Sequence, residues 1–541
     1  MSFQSTQNNA PMLQRNIEKN NEKSAEGNTQ EFMLGVDIGT TSTKAVLFTI
    51  NGQVVSQSAV EYPLISTAAD MAEQDPAQIY AAVLTTIEQA VKQGVISAQV
   101  RPAEIVLVSF SAAMHSVIAI DKNDQPLTNS ITWADNRAGA WANKIRDEMD
   151  GQAIYSRTGT PIHPMSPLCK LMWLRHDQPD IFSCSARFVG IKEYVMHRMF
   201  GQWLVDHSIA SATGMFNLFE MDWDKAALAL IGVDRAQLSQ LVPTTHRLGG
   251  LSATLAQQLG LMTTTPFIIG ANDGVLSNLG VNAIAPGQVA VTIGTSGAMR
   301  TVVERPVTDP AGRTFCYALT ENHWVVGGPI NNGGSILRWV RDELATEEAA
   351  EALRCDRDPY EALMDIAQQV SAGADGLLFH PYLAGERAPL WNADARGSFF
   401  GLALHHGKPQ MIRAALEGVI FSLYSILPGI EELIGPTRRM MATGGFARSA
   451  LWRQMMADIF DREVVVPESV ESSCLGAAVL GLYALGRISS LEAIADMVGS
   501  THHHQPNPES VAIYKQLWPI YAAIPQQLAQ QYRQLAAFQR Q

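Results

Sequence analysis

The chain has 541 residues, 47% of them hydrophobic and 17% charged, with a formal net charge of −13. That length accommodates two or more domains with separate cores, and the composition is that of an ordinary globular protein. The acidic balance without any Lys/Arg run argues against a nucleic-acid partner, and five scattered cysteines fit a reducing cytoplasm better than a disulfide framework or a zinc site.

Residues 1–31 are rich in Asn, Gln, Glu and Lys without an apolar block, and read as a disordered tail rather than a leader. Strands are expected over 32–38, 44–50 and 53–60, with Asn51-Gly52 turning between the last two. Ile79, Ala82, Val83, Ile87 and Val91 share one face of a helix over 77–94, with Pro76 near its start. The apolar run 105–111 is a buried strand, and 118–133 reads as a hairpin around Lys122-Asn123-Asp124. Residues 139–262 are irregular and read as helices and loops shaping a pocket. A strand over 266–270 ends in a glycine turn, and 283–287 is a crossover. The opening strand–turn–strand pattern then restarts. It is followed by helices within 335–370, a loop over 381–397 and a long helix over 408–433. A Gly-rich strand–helix junction (442–459), an apolar helix (475–486) and a C-terminal helix complete the chain. No stretch approaches the roughly 20 apolar residues of a membrane span, and Glu417 interrupts the most apolar helix. Strands and helices alternating twice predict a duplicated α/β fold, with domains over 32–282 and 283–541.

One turn is written twice, about 255 positions apart. The first copy is Val36-Asp37-Ile38-Gly39-Thr40-Thr41-Ser42-Thr43-Lys44, and the second is Val291-Thr292-Ile293-Gly294-Thr295-Ser296-Gly297. Each is a hairpin whose tip offers backbone N–H groups and small hydroxyls, and two facing tips make a nest for a chain of phosphates. Only the first copy carries an acid and a terminal lysine. Asp37 beside a phosphate nest implies an intervening Mg²⁺, which keeps waters and takes one or two carboxylates; its plain alternative is a turn-initiating Asp. Lys44 reaches a phosphate oxygen or stands solvated on the hairpin. The net negative charge means that the cleft needs cations of its own.

These turns come with Glu73-Gln74-Asp75-Pro76, Met114-His115 and Trp133-Ala134-Asp135-Asn136-Arg137. Gly385-Glu386-Arg387-Ala388-Pro389, Ala414-Ala415-Leu416-Glu417-Gly418 and Gly444-Gly445-Phe446-Ala447-Arg448-Ser449 follow in order. Together they resemble the FGGY family of carbohydrate kinases, within the actin/hexokinase/Hsp70 superfamily, from residue 32 to about 520. The segment 165–174 with Lys170 and Trp173 matches a further family signature imperfectly, departing at His176 and Asp177. The resemblance implies two actin-like (ribonuclease H-like) domains with a nucleotide cleft between them, the first binding substrate and the second adenosine. It maps the catalytic base onto Asp273 in Gly270-Ala271-Asn272-Asp273-Gly274, a residue that local sequence alone also reads as a helix N-cap.

By the same resemblance, Gly39, Thr40, Thr41, Ser42, Lys44, Gly294, Thr295 and Ser296 hold ATP phosphates, and Gly444 and Gly445 pack against adenosine. Gly334, in a Gly/Asn-rich stretch with Gly328 and Asn331, borders the nucleotide. Met114, His115, Asp135 and Arg137 line the substrate site; for the His the alternative is a structural role, and for the Asp–Arg pair an internal ion pair. Trp339 and Trp452 read as core. Met-His-Ser, Trp-Ala-Asp-Asn-Arg and the segment 161–167 resemble the branch of the family that phosphorylates gluconate more than the branch acting on xylulose. Gluconate carries a carboxylate, for which Arg137, Lys192 or His163 are candidate cations. The expected reaction is phosphorylation of the 6-hydroxyl of D-gluconate by ATP in the cytoplasm. The alternatives are a xylulokinase-like activity on a ketose or polyol, and a non-catalytic actin-like nucleotide switch. Family members are often dimeric, so a homodimer is expected, with neither nucleic acid nor membrane as partner.

Overall fold

The computed structural model describes residues 30–68, 70–468 and 471–540. The expected tail, 1–31, lies outside the described residues except for its last two.

Near-continuous apolar runs make the inner strands of two sheets, as strands covered on both faces require. The first sheet contains β1 (Phe32–Ile38), β2 (Ser42–Thr49), β3 (Val54–Glu61), β4 (Ile105–Ala112), β5 (Arg247–Leu248) and β6 (Phe267–Asn272), in the order β5-β6-β4-β1-β2-β3. The second contains β7 (Gln288–Ile293), β8 (Gly297–Val303), β9 (Phe315–Ala318), β10 (Trp324–Ile330), β11 (Arg439–Thr443), β12 (Glu463–Pro467) and β13 (Ser500–His504). Its order is β9-β10-β8-β7-β11-β12-β13. In each, a strand pairs antiparallel with the next through a short tip (β1 with β2, β7 with β8) and parallel with a later one (β1 with β4, β7 with β11). The repeated turn therefore belongs to a repeated sheet.

Helix α1 (Pro76–Ala98) covers one face of the first sheet. Asp75 caps it by accepting from Ala77 N at 2.8 Å, and Ile79, Ala82, Val83, Ile87, Ala90 and Val91 are buried at helical spacing. Burying each of the Ile and Val side chains contributes about 1.5–3 kcal/mol, which fixes this helix on the sheet. Residues 139–238 supply most of a separate core of short helices that also takes in Cys316, Trp324 and Val326 from the second sheet.

The segment 118–133 turns back on itself around Lys122-Asn123-Asp124 as expected. Asp121 N donates to Gln125 O at 2.9 Å and Leu127 N to Ala119 O at 2.8 Å, Val117 bridges Ile131, and Asp121 braces the turn through Asn123 N and Gln125 N. Its arms also pair outward, Ile118–Ile120 with Arg187–Val189 and Ser130–Ile131 with Glu73–Gln74. Other expectations need correction. β6 does not end at Gly270. That residue, at φ +71°, sits at a bulge where an added Cβ would lie 1.7 Å from Phe110 O, and the strand continues to Asn272. The long helix over 408–433 is two, Lys408–Tyr424 and Leu427–Ile434, divided ahead of Pro428, which has no N–H to give. By length and composition the combined span Lys408–Ile434 is long and apolar enough to cross a membrane, but most of it is buried in the protein, where Arg413 pairs with Glu417 at 2.6 Å.

The apolar helix expected at 475–486 spans Ser472–Ala484 and returns to the first sheet. Cys474 O lies 2.0 Å from where a Cβ on Gly35 of β1 would stand. It also crosses the helix α2 (Asp273–Gly280) backbone to backbone. A Cβ on Gly280 would meet Ser472 O at 1.9 Å, and one on Gly476 would meet Leu276 O at 2.0 Å. Gly476→Ala should therefore lower stability by about 1–3 kcal/mol, the usual cost of overpacking. Chemical denaturation checks this, and an unchanged midpoint would contradict the close crossing.

Candidate active site

The carboxyl ends of β1, β4 and β6 lie side by side, with Ile38, Ala112 and Asn272 in register across the three. Asp37 near the end of β1, Met114-His115 beyond β4 and Asp273 after β6 are thus brought to one edge, where open α/β sheets bind ligands. The local reason for Asp273 is a division of labour. Asn272, not Asp273, caps α2, its Oδ1 accepting from Val275 N at 2.9 Å, while Ser208 fixes its amide. Asp273 is left as the first helical residue, with Gly274 N donating to its Oδ1 at 2.7 Å.

The first turn, Gly39-Thr40-Thr41-Ser42, has its carbonyls tied back into the protein. Tyr62 Oη donates to Gly39 O at 2.6 Å, Gln74 Nε2 to Thr40 O at 2.5 Å and Tyr62 N to Thr41 O at 3.2 Å. Trp133 Nε1 donates to Thr40 Oγ1 at 2.9 Å. With its acceptors engaged, the tip is suited to an anion. The second turn is braced differently: Gly334 N donates to Gly294 O at 2.6 Å, and Gly333 N and Ser335 N to Thr295 O at 3.2 and 3.1 Å. Gly334 therefore supports that turn. Gly444, at φ +96°, packs so closely that a Cβ would lie 2.3 Å from Ile293 O, and Thr443 meets Thr292 hydroxyl to hydroxyl at 2.9 Å. The Gly444-Gly445 loop and the second turn form one continuous surface.

A cavity of about 270 Å³ joins the halves. Thr40, Met114, His115, Trp133 and Asp273 line it from the first, and Thr292, Gly294, Ser296, Arg300, Tyr317 and Arg387 from the second. Burial, reinforced by the negative charge of Asp37, pushes the Asp273 carboxyl up to about 7 against the opposing pull of Arg300. Burial also raises Asp37, whose Oδ1 accepts from Ser111 Oγ at 2.6 Å. His115, at φ +70°, is held neutral: burial and the Lys170 ammonium bring it down to about 3. Its Nδ1–H donates to Ala212 O at 2.7 Å, so Nε2 is the free acceptor.

Other expected site residues have different partners. Lys44 Nζ lies 3.1 Å from Glu471 Oε2. Asp135, 1% exposed, accepts from Ala72 N and pairs with Arg137, which also bonds Glu73 at 2.5 Å and stacks on Trp173. That pair is an internal ion-pair network outside the Asp273 cavity, as its unspent alternative allowed; Arg137 faces a separate cavity of about 780 Å³. Lys192 Nζ is buried against Asp206 at 2.7 Å. His163 is held neutral by burial, down to about 3, and accepts from Met165 N. None of the three candidate cations is an available charge beside Asp273.

Models of the FGGY family of carbohydrate kinases match residues 32–280 (N-terminal domain) and 289–485 (C-terminal domain). The chain belongs to this family. It is 56% identical to the gluconokinase of Bacillus subtilis (strain 168) over 94% of this chain and 98% of that protein. Crystal structures of a gluconate kinase and of a ligand-bound xylulose kinase, both from Lactobacillus acidophilus, are each 38% identical. Their TM-scores are 0.87 and 0.86, and they cover 94% and 93% of this chain and all of theirs.

What FGGY motifs did not single out are the second half's contributions: Arg300, Tyr317 and the positioning of Arg387. Arg387 Nη2 donates to Ile330 O at 2.9 Å while its guanidinium lies 4.8 Å over Trp133. The signal for Arg300 was a lone charge in the apolar strand directly after the Gly294 turn. Any role in which Asp273 takes a proton requires its ionised form. Activity limited by it should rise about tenfold per pH unit below pH 7 and level off above it. A kcat/KM profile flat from pH 5 to 8 would contradict that.

Proposed function

We propose that this kinase transfers the γ-phosphoryl group of ATP to the 6-hydroxyl of D-gluconate, giving 6-phospho-D-gluconate and ADP. The observation that carries the reaction is that Asp273 and the Gly294 turn line one cavity, so a base and a phosphate-binding tip face the same space. The choice of acid rests on the likeness to a gluconokinase along almost the whole of both chains. In this reading residues 32–282 hold the sugar acid and the base, and 283–541 hold adenosine along the Gly444-Gly445 loop.

The phosphates lie between the tips at Gly39-Thr40-Thr41-Ser42 and Gly294-Thr295-Ser296. Gly39 N and Gly294 N close the turns by donating to Ser42 O and Ser296 O, and the remaining N–H groups and hydroxyls donate to the phosphates. Asp273 orients the terminal hydroxyl and accepts its proton as the oxygen attacks phosphorus. A carboxyl near pH 7 suits this task, since it is ionised at working pH yet basic enough to take a proton. His115 Nε2 accepts from another hydroxyl of the chain, with Met114 packed beside Gly274. Most of the rate enhancement comes from position and from excluding water between the halves.

Asp37 fits Mg²⁺ arriving with ATP. One of its oxygens is fixed by Ser111 and the other has no side-chain hydrogen bond, which suits a water-retaining ion. The ion supplies charge neutralisation at the phosphate oxygens. Five free thiols fit a cytoplasmic location. A homodimer belongs to the same proposal and is checked by sedimentation velocity.

Asp273→Asn should cut kcat by at least about 100-fold while leaving KM values within a few-fold. Near-normal turnover of this variant removes Asp273 from the role. A coupled ADP-release assay over gluconate, xylulose and neutral polyols tests the acceptor. Preference for xylulose would replace gluconate with the ketose reading, and acceptor-independent slow turnover would favour a nucleotide switch.

A further inference from the structure

The cleft contains a guanidinium with nothing to hold. Arg300 on β8 lines the Asp273 cavity, and its Nε stands 3.2 Å from where a Cβ on Gly274 would be. The side chain therefore lies against the first turn of α2, beside the proposed base. Among the described residues it forms no ion pair and no side-chain hydrogen bond; Asp273 and Tyr317 act on it only through space.

Two side chains that line this cavity also carry buried donors without a partner: the Tyr317 hydroxyl, on a side chain 1% exposed, and Arg387 Nε. Buried polar groups are nearly always paired, so a cavity with a free phenol and two incompletely bonded guanidinium groups suits a ligand that brings acceptors. Arg387 is partly committed, through Ile330 O, the Trp133 face and the adjacent Glu386 carboxylate. Arg300 is uncommitted. Its five N–H donors in a planar fork match the two oxygens of a carboxylate.

We propose that Arg300, assisted by the Tyr317 hydroxyl, binds the carboxylate of the substrate and sets the preference for a sugar acid over a neutral ketose or polyol. The inference rests on the gluconate reading above. It gives the substrate a contact on each half: hydroxyls on the first with Asp273 and His115, carboxylate on the second with β8 and β9. A neutral analogue would leave Arg300 and Tyr317 buried without acceptors, and a site built for a polar partner rejects a ligand that lacks it.

The test compares D-gluconate with D-glucitol, which has the same carbon chain without the carboxylate, using wild type, Arg300→Gln and Tyr317→Phe. Wild type is expected to favour gluconate; if it favours glucitol, the gluconate reading fails and this inference with it. In Arg300→Gln, KM for gluconate should rise about 30-fold or more, as for loss of one partner of a buried charge pair. The gluconate-to-glucitol ratio of kcat/KM should fall by a similar factor. Tyr317→Phe should lower that ratio by about tenfold, as for a hydrogen bond to a charged group. A thermal shift on adding a non-hydrolysable ATP analogue reports an intact nucleotide half in each variant. An unchanged ratio in Arg300→Gln overturns the assignment while gluconate stands as substrate. So does a fall in kcat with KM unaltered, the pattern of a residue acting on the transferring phosphoryl group. Should Arg300→Gln not fold, Tyr317→Phe decides: a lowered ratio supports the assignment and an unchanged ratio overturns it.

Discussion

Two carboxylates, Asp37 and Asp273, share one cleft, and the charge on the first raises the pKa of the second. Everything around them answers that repulsion. Asp37 is steadied by the Ser111 hydroxyl and left an oxygen for a cation, while Asp273 faces Arg300 across the cavity. A polyanion could not approach two bare acids in a protein of net charge −13. In our reading the charge that offsets Asp37 arrives with the nucleotide, while Arg300 on β8 acts on Asp273 only through space and forms no ion pair with it.

The duplicated sheet explains how these charges come to face each other. Each half presents a hairpin tip, but the tips are braced by different means. The first is tied down through Tyr62, Gln74 and Trp133, and the second by the residues from 333 to 335. Trp133 also carries Arg387 on its ring face, so one indole links the first tip to a loop of the second half. On the opposite side the helix Ser472–Ala484 lies on α2 and β1 at distances that exclude any side chain at Gly35, Gly280 or Gly476. A helix contributed by the second half of the chain is thus part of the first half's core.

Much of this was legible from residue order. The strands expected at 32–38 and 105–111 follow from unbroken apolar runs, the helix expected over 77–94 from periodicity with Pro76 near its start, and the family from many motifs in sequence. Local patterning failed where partners were distant. The stretch 118–133 folds back on its polar turn as expected, but the outward pairing of its arms with Arg187–Val189 and Glu73–Gln74 depended on edges distant in sequence. Arg137 looked like a ligand because it follows a strand end; only the arrival of Glu73 from another segment shows its charge to be spent.

The sequence by itself determined the repeated turn, the α/β class and the family, since each depends on residues adjacent along the chain or matched in order. The tertiary structure alone decided which charges are free. Arg137, Lys192 and Arg300 are all plain cations in the sequence, yet the first is held by Asp135 and by Glu73 from another segment, the second by Asp206, and the third faces a cavity without an ion-pair partner among the described residues. The reason is physical. A charge acts on a ligand only if no nearer opposite charge has claimed it, and nearness in a folded chain is set by packing, not by sequence separation.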